Sequence, residues 1–284
     1  MPRKKGDIEN FEHLWENRAK KNKSWFYRGE PSNQIEYAFG QHFSFLKSVI
    51  SINRGDKIIE VGAGRGSFGA FFADYGCNIL LTDLSEAILN EAKLIFEEWG
   101  LDKKVSTLQC DALQIEAKKN SFDIATSIGL LEHFEDPSEV IKEQIRILKP
   151  GGRFTAYVVP DKWTLTKAFS PFNKMLKEMN KVFDKNFVDE KKADLFRTKY
   201  DSHYYLKVMK DLGLKGTGSS GVYPYPSISH STEFPFTVMP EYFEIALVET
   251  MKNISQHRLD TFKDHPWSCD EKIAQGFFIW GTKR

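Results

Sequence analysis

The chain has 284 residues, 41% hydrophobic and 28% charged, enough to bury one large core with a modest cap. Forty basic residues nearly cancel thirty-nine acidic ones, which removes any global electrostatic reason to expect a nucleic-acid partner. Cys77, Cys110 and Cys269 are odd in number and form no CxxC. They argue against a disulfide framework or structural zinc and for a reducing, cytoplasmic setting. The basic start, Met1 to Lys5, has no apolar stretch behind it, and no run of about 18 apolar residues occurs. Neither a signal peptide, a spanning helix nor a membrane partner is expected.

The pattern predicts a helix over 8–24 and another over 33–52, the second with Ile35, Phe39, Phe43 and Leu46 at helical spacing. Strand–helix alternation then begins. Lys57–Val61 is a short apolar strand ending in a glycine cluster, followed by a helix over 65–75 and a strand over Asn78–Thr82. Ser85 caps the next helix, whose buried stripe is Ile88, Leu89, Ala92, Ile95, Phe96 and Trp99. Val105–Gln109 and Phe122–Thr126 are the third and fourth strands. Asp136-Pro137-Ser138-Glu139 starts a helix with Val140, Ile141, Ile145 and Leu148 on its apolar face. Pro150-Gly151-Gly152 ends it, and Arg153–Val159 is the fifth strand.

After Pro160 the pattern loosens. Residues 161–200 are Lys-rich and helix-prone. Tyr204–Leu212 reads as a helix, Leu214–Gly218 as a sixth strand, 216–231 as a Gly/Ser/Pro/Tyr loop, 240–258 as a helix and Gly276–Gly281 as a terminal strand. The alternation implies an α/β fold with a parallel sheet covered on both faces. In such sheets the ligand sits beyond the strands' carboxyl ends, where the chemically unusual residues of this chain fall.

Glu60-Val61-Gly62-Ala63-Gly64-Arg65-Gly66 follows the first strand, where glycines let the backbone turn and a ligand approach. As a dinucleotide fingerprint it fails, because Ser67 stands where the third glycine belongs. The second frame, Gly64-x-Gly66-x-x-Gly69, begins two residues too late after the strand. Glu60 suits a cationic or amino group and would be a poor neighbour for pyrophosphate. S-adenosylmethionine has an ammonium and a sulfonium and no phosphate. Asp83, at the end of the second strand, can accept from both ribose hydroxyls, a feature shared with NAD enzymes. Asp111 can accept from an adenine amino group or serve as a turn residue.

These residues, with Gly129-Leu130-Leu131-Glu132-His133-Phe134 and Leu148-Lys149-Pro150-Gly151-Gly152, resemble the class I S-adenosylmethionine-dependent methyltransferases over residues 55–160. The resemblance implies a Rossmann-like, seven-stranded, mostly parallel sheet with helices on both faces. Residues 1–54 would form an N-terminal helical lid, 55–160 the cofactor-binding core, 161–202 a helical cap inserted after strand five, and 203–284 the rest of the sheet with acceptor-site loops. It implies S-adenosylmethionine as cofactor: Glu60, Gly62, Ala63 and Gly64 for the methionine moiety, Asp83 and Leu84 for the ribose, and Asp111 and Ala112 for the adenine. Ser127 and Ile128 would line the methionine side. Tyr27 and Arg28 are candidates for the cofactor carboxylate.

His133 follows strand four, where the sulfonium would lie, and is the candidate base for a hydroxyl nucleophile. The Leu-Glu-His segment resembles small-molecule O-methyltransferases, including the ubiquinone-biosynthesis type. Some of these carry another Glu three residues earlier, proposed as part of a metal site. Gly129 stands there here, and no metal is expected. Candidates for the acceptor site are Trp25, Trp163, His203, Tyr204, Tyr223, Tyr225 and His230. The acceptor is expected to be a small molecule, with an anionic or carbohydrate-like one suggested by the Lys-rich stretch and by a resemblance of the chain's end to cell-surface carbohydrate methyltransferases. O-methylation leads; N- or C-methylation is the alternative. A macromolecular substrate is disfavoured, since Thr126-Ser127-Ile128-Gly129 replaces the Asn/Asp-Pro-Pro-aromatic motif used on flipped bases.

Overall fold

A computed structural model describes residues 24–162, 168–183, 196–226, 228–229, 238–262 and 265–284. The expected N-terminal helix, Trp163, His230 and Phe234-Pro235-Phe236 lie outside them. The central strands are β1 (Lys57–Val61), β2 (Asn78–Asp83), β3 (Val105–Gln109), β4 (Phe122–Ile128) and β5 (Leu148–Val158). They are followed by β6 (Lys215–Val222), β7 (Ser268–Cys269) and β8 (Gly276–Thr282). The sheet order is β3-β2-β1-β4-β5-β8-β6-β7. Strands β3 to β5 pair in parallel. Strand β8 lies antiparallel to β5 and β6, and β7 antiparallel to β6.

Two expectations are corrected here. The sheet has eight strands among the described residues, not seven, because Ser268–Cys269 adds a short edge strand beside Gly221 and Val222. The mostly parallel description holds for one wing only; the other is built on β8. Strand β6 also runs on to Val222, through residues read as loop. Its glycines are there to make room: a Cβ at Gly218 would lie 2.5 Å from the Trp280 ring, and one at Gly221 would lie 2.7 Å from the Cys269 carbonyl.

The helices are α1 (Gln34–Val49), α2 (Ser67–Tyr75), α3 (Glu86–Glu98), α4 (Ser138–Ile147), α5 (Ser170–Phe183), α6 (Ser202–Asp211) and α7 (Glu241–Phe262). Local chemistry sets their starts. Asn33 accepts from the Ile35 and Glu36 N–H groups at α1, and Ser85 accepts from Ile88 N–H at α3. The Asp136 carboxylate takes the Ser138 N–H at α4. The buried stripe of α4 is Val140, Ile141, Gln144 and Ile147. Position, more than apolarity, decides burial here: 144 and 147 share the inward face with 140, and Ile145 lies to the side.

One face of the sheet packs Ile58, Leu81 and Tyr157 against Phe43, Phe68 and Phe96 of α1, α2 and α3. The other packs Ile59, Ala125 and Phe154 against Ile141 and Tyr205 of α4 and α6. Strand order reverses between β1 and β4, so ligand space opens at their carboxyl ends.

Candidate active site

The turn after β1 is left-handed at three glycines, with φ of 68° at Gly62, 53° at Gly64 and 67° at Gly66. A Cβ at Gly62 would stand 2.8 Å from Leu130, so this position is held open sterically as well. Glu60 lies beneath the turn, on the same face of β1 as Ile58, and is 2% exposed. Its Oε2 accepts from the Gly69 N–H in the first turn of α2 at 2.8 Å. Burial pushes its pKa up to about 8, against the pull of that hydrogen bond and with a small push from Asp83. A Cβ at Gly69 would come within 2.7 Å of the same oxygen. The glycine that completes the apparent dinucleotide frame therefore makes room for a carboxylate.

Asp83 closes the turn from the next strand. Its Oδ2 accepts from Gly64 N–H at 2.9 Å and its Oδ1 from Ser85 N–H at 3.1 Å. Ala63 N–H reaches the Thr82 carbonyl. Leu84 is half-buried, and its carbonyl accepts from the Gln109 side chain. Asp111 shapes a turn, accepting from Leu113 N–H at 3.0 Å, while Ala112 is buried beside it. The residues expected to read ribose and adenine thus stand in line along the ends of β2 and β3.

At the end of β4, the Ser127 hydroxyl is buried without a hydrogen-bond partner, and Ile128 is half-buried. Gly129 turns the chain with φ of 69° into a short 3₁₀ turn over Leu131–His133. His133 Nδ1 lies 2.8 Å from the Phe196 carbonyl. A carbonyl only accepts, so Nδ1 carries hydrogen, and in the neutral ring the lone pair sits on Nε2. Glu132, which the sequence reading gave no role, is 1% exposed, and its Oε2 has no hydrogen-bond partner. Burial pushes its pKa up to about 7, opposed by Arg197 and by nearby backbone N–H groups. Among the described residues no group of three His, Cys, Asp or Glu side chains could hold a metal.

The more distant candidates divide. The Trp25 N–H donates to Ser67 Oγ at 3.1 Å, so the N-terminal segment crosses the start of α2 beside the glycine turn. Arg28 does not turn that way. Its guanidinium binds Asp74 at 2.8 Å, in the last turn of α2, and lies over the Trp99 ring. Tyr27 packs its ring edge against Phe71 and its hydroxyl against Gly40, and burial raises its pKa to about 12. Both side chains are held along α2, Tyr27 beside Phe71 and Arg28 at Asp74.

Tyr223 and Tyr225 are core residues packed around Trp267, and Tyr225 donates to the Met251 carbonyl. His203 is exposed on α6, and Tyr204 stacks on Tyr200 at 3.9 Å. Tyr200 in turn bonds the Glu135 carbonyl, which sets this pair alongside the His133 turn. A second histidine escaped the sequence reading. His42 of α1 accepts the Trp267 indole N–H at Nδ1 (2.8 Å), and its ring lies 4.4 Å from that of Tyr157. Burial lowers its pKa to about 3, so it is neutral with its proton on Nε2.

Comparison with known proteins places this arrangement. Residues 59–156 match the family described as methyltransferase domain. Sterol 24-C-methyltransferase of Aspergillus fumigatus is 31% identical over 149 residues, 52% of this chain and 38% of that one. Ubiquinone biosynthesis O-methyltransferase of Pseudomonas entomophila is 36% identical over 99 residues, 35% of this chain and 42% of that one. The chain thus spans less than half the length of these curated relatives. A solved S-adenosylmethionine-dependent methyltransferase from Aquifex aeolicus shares the fold, with a TM-score of 0.53 and 14% identity over 94% of this chain and 98% of that one. The domain match and the strand order together identify residues 59–156 as a methyltransferase domain on a Rossmann-like sheet.

Proposed function

We propose that the protein transfers a methyl group from S-adenosylmethionine to a small-molecule acceptor, most readily a hydroxyl oxygen. The observation that carries the cofactor assignment is the carboxyl of Glu60 under the glycine turn, bonded to the Gly69 N–H. In dinucleotide folds the N–H groups at this helix start face a pyrophosphate. Here one of them is already taken by a carboxyl group, which would repel phosphate once ionised and attract an ammonium. The residues present fit a phosphate-free nucleoside: glycines at positive φ, Asp83 beside them for a ribose, and an unsatisfied Ser127 hydroxyl at the end of β4.

When bound, S-adenosylmethionine supplies an electrophilic methyl on sulfur. Glu60 with the backbone of Gly62, Ala63 and Gly64 would hold the amino-acid end, Asp83 and Leu84 the ribose, and Asp111 and Ala112 the adenine; Ser127 and Ile128 would face the methionine side. His133 Nε2 would take the proton of the acceptor hydroxyl, with the ring oriented by the Phe196 carbonyl. The two relatives act, by their names, on carbon and on oxygen, so the preference for oxygen rests on His133 alone. Calorimetric titration with S-adenosylhomocysteine and with NADH tests the cofactor assignment. Binding of the thioether is expected; tight NADH binding with no response to the thioether would overturn it.

A further inference from the structure

A carboxyl group buried for the sake of the fold ordinarily has hydrogen bonds on both oxygens. Glu132 does not. It is 1% exposed, and its Oε2 has no hydrogen-bond partner. Its other oxygen borders room rather than packing. A Cβ at Gly129 would lie 3.6 Å from Glu132 Oε1 and, its two chain neighbours aside, within 4 Å of nothing else. The same construction at Gly62 meets Leu130 at 2.8 Å, so this room is particular to Gly129. It lies where the chain leaves β4, beside Ser127 and Ile128, and Glu132 and His133 are consecutive on the 3₁₀ turn that follows.

The stretch 196–200 sets the charge around that carboxyl. The Thr198 N–H donates to the Glu132 carbonyl at 2.7 Å, and the Phe196 carbonyl takes the His133 Nδ1 hydrogen at 2.8 Å. Arg197 is pinned between these two contacts. Burial raises the pKa of both the Glu132 carboxyl and the Tyr157 hydroxyl, and the Arg197 guanidinium pulls both back. The carboxyl therefore already has a positive neighbour. A partner for its free oxygen has to donate a hydrogen without bringing a second full positive charge.

We infer that Glu132 is a specificity-determining residue: it accepts a hydrogen bond from a second hydroxyl of the acceptor, beside the one that is methylated, so that the acceptor is a vicinal diol. This rests on the O-methyl transfer proposed above. A hydroxyl is neutral and donates one hydrogen, which suits a carboxylate with a guanidinium nearby. An ammonium there would be repelled by Arg197, and a phosphate or carboxylate by Glu132 itself. Because the two side chains leave consecutive residues, the hydroxyl that Glu132 holds lies close to the one that His133 deprotonates. A site built to bond a hydroxyl also rejects the analogue that lacks it, because the buried carboxyl is then left unpaired.

The test is methylation of matched pairs by the full chain: catechol against phenol, and cis-1,2-cyclohexanediol against cyclohexanol, which separate an aromatic from an aliphatic diol. Assayed above pH 7, where the carboxyl is ionised, wild type should prefer the diol of at least one pair by about tenfold or more in kcat/KM. Glu132→Leu should cut that preference to about threefold or less, and Glu132→Gln, whose amide oxygen still accepts, should keep part of it. Calorimetry with S-adenosylhomocysteine on each protein reports the fold and the cofactor site separately. Wild type that binds the thioether yet methylates neither diol, or methylates phenol and cyclohexanol as well as their partners, overturns the inference and leaves the cofactor assignment standing. So does either variant that binds the thioether and keeps the full wild-type preference. Wild type that ignores the thioether overturns the proposed function, and the inference with it.

Discussion

Replacing Glu60 with Gln separates two roles of one carboxyl group, its cost to the fold and its service to the ligand. In the unfolded chain this group ionises near 4.5, and in the fold at about 8. Because the folded value is raised, stability is unaffected below 4.5, falls as pH rises above it, and stops falling above about 8. At pH 7 the gap covers about 2.5 pH units at about 1.4 kcal/mol each, or about 3 kcal/mol against folding. Glutamine can accept the same Gly69 N–H with its amide oxygen and carries no such cost. The ligand-free Gln variant should therefore melt higher than wild type at pH 8 and match it near pH 4.5.

Binding should move the opposite way. An ammonium beside Glu60 draws it into its ionised form, so wild type should release a proton when S-adenosylhomocysteine binds at pH 7. Calorimetry in buffers of different ionisation enthalpy reads that proton. The variant should release none and bind about 10- to 100-fold more weakly, the size of a lost charge-assisted hydrogen bond. A Gln variant that binds the thioether as tightly as wild type would refute the reasoning, whatever its melting temperature.

Other outcomes follow from the same geometry. His133→Ala should slow methylation of a hydroxyl acceptor by about 10²-fold or more, with S-adenosylhomocysteine affinity retained; unchanged turnover removes the base role and favours N- or C-methylation. Gly69→Ala places a methyl 2.7 Å from Glu60 Oε2 and 2.8 Å from Leu81. It should destabilise the protein by about 1–3 kcal/mol and weaken thioether binding together with it, as read by thermal melts and calorimetry. His42 is buried with its pKa lowered to about 3 from an ordinary 6.5, so its contribution is intact above 6.5 and is lost as pH falls toward 3. His42→Phe should flatten the acid limb of the stability–pH profile between those values, and an unchanged limb would count against a neutral, buried ring.

Much of the parallel wing was legible because local rules decide it. Apolar runs of strand length, Ser85 as a cap and the Leu-Lys-Pro-Gly-Gly turn are specified within a few residues of themselves. What was not legible depends on partners far along the chain. Residues 219–221 read as loop by composition and stand in β6, paired with Phe277, Phe278 and Ile279 of β8 from nearly 60 positions away. Arg28 looks available for a carboxylate ligand until Asp74, 46 residues away, takes it. Glu132 stands out only as part of the Leu-Glu-His segment, and His42 carries no local signal at all. Their interest lies in burial, which a single sequence does not display. The glycine turn stands between these cases: Gly62, Gly64 and Gly66 announce themselves, while Gly69 is explained only by the carboxyl group packed against it.

Helix α1 is stitched to α7 and to the residue just before β7. Gln34 is tied to Glu244, Tyr37 to Ser255 and His42 to Trp267, each pair more than 200 positions apart. Helix α1 therefore meets these partners only after the more than 200 residues between them have been made. Until then the side chains that will meet Trp267 and α7 stand uncovered while the parallel strands can already assemble beside them. Ribosome-bound nascent chains ending before Trp267 should then expose an apolar surface that chains extending well past it hide.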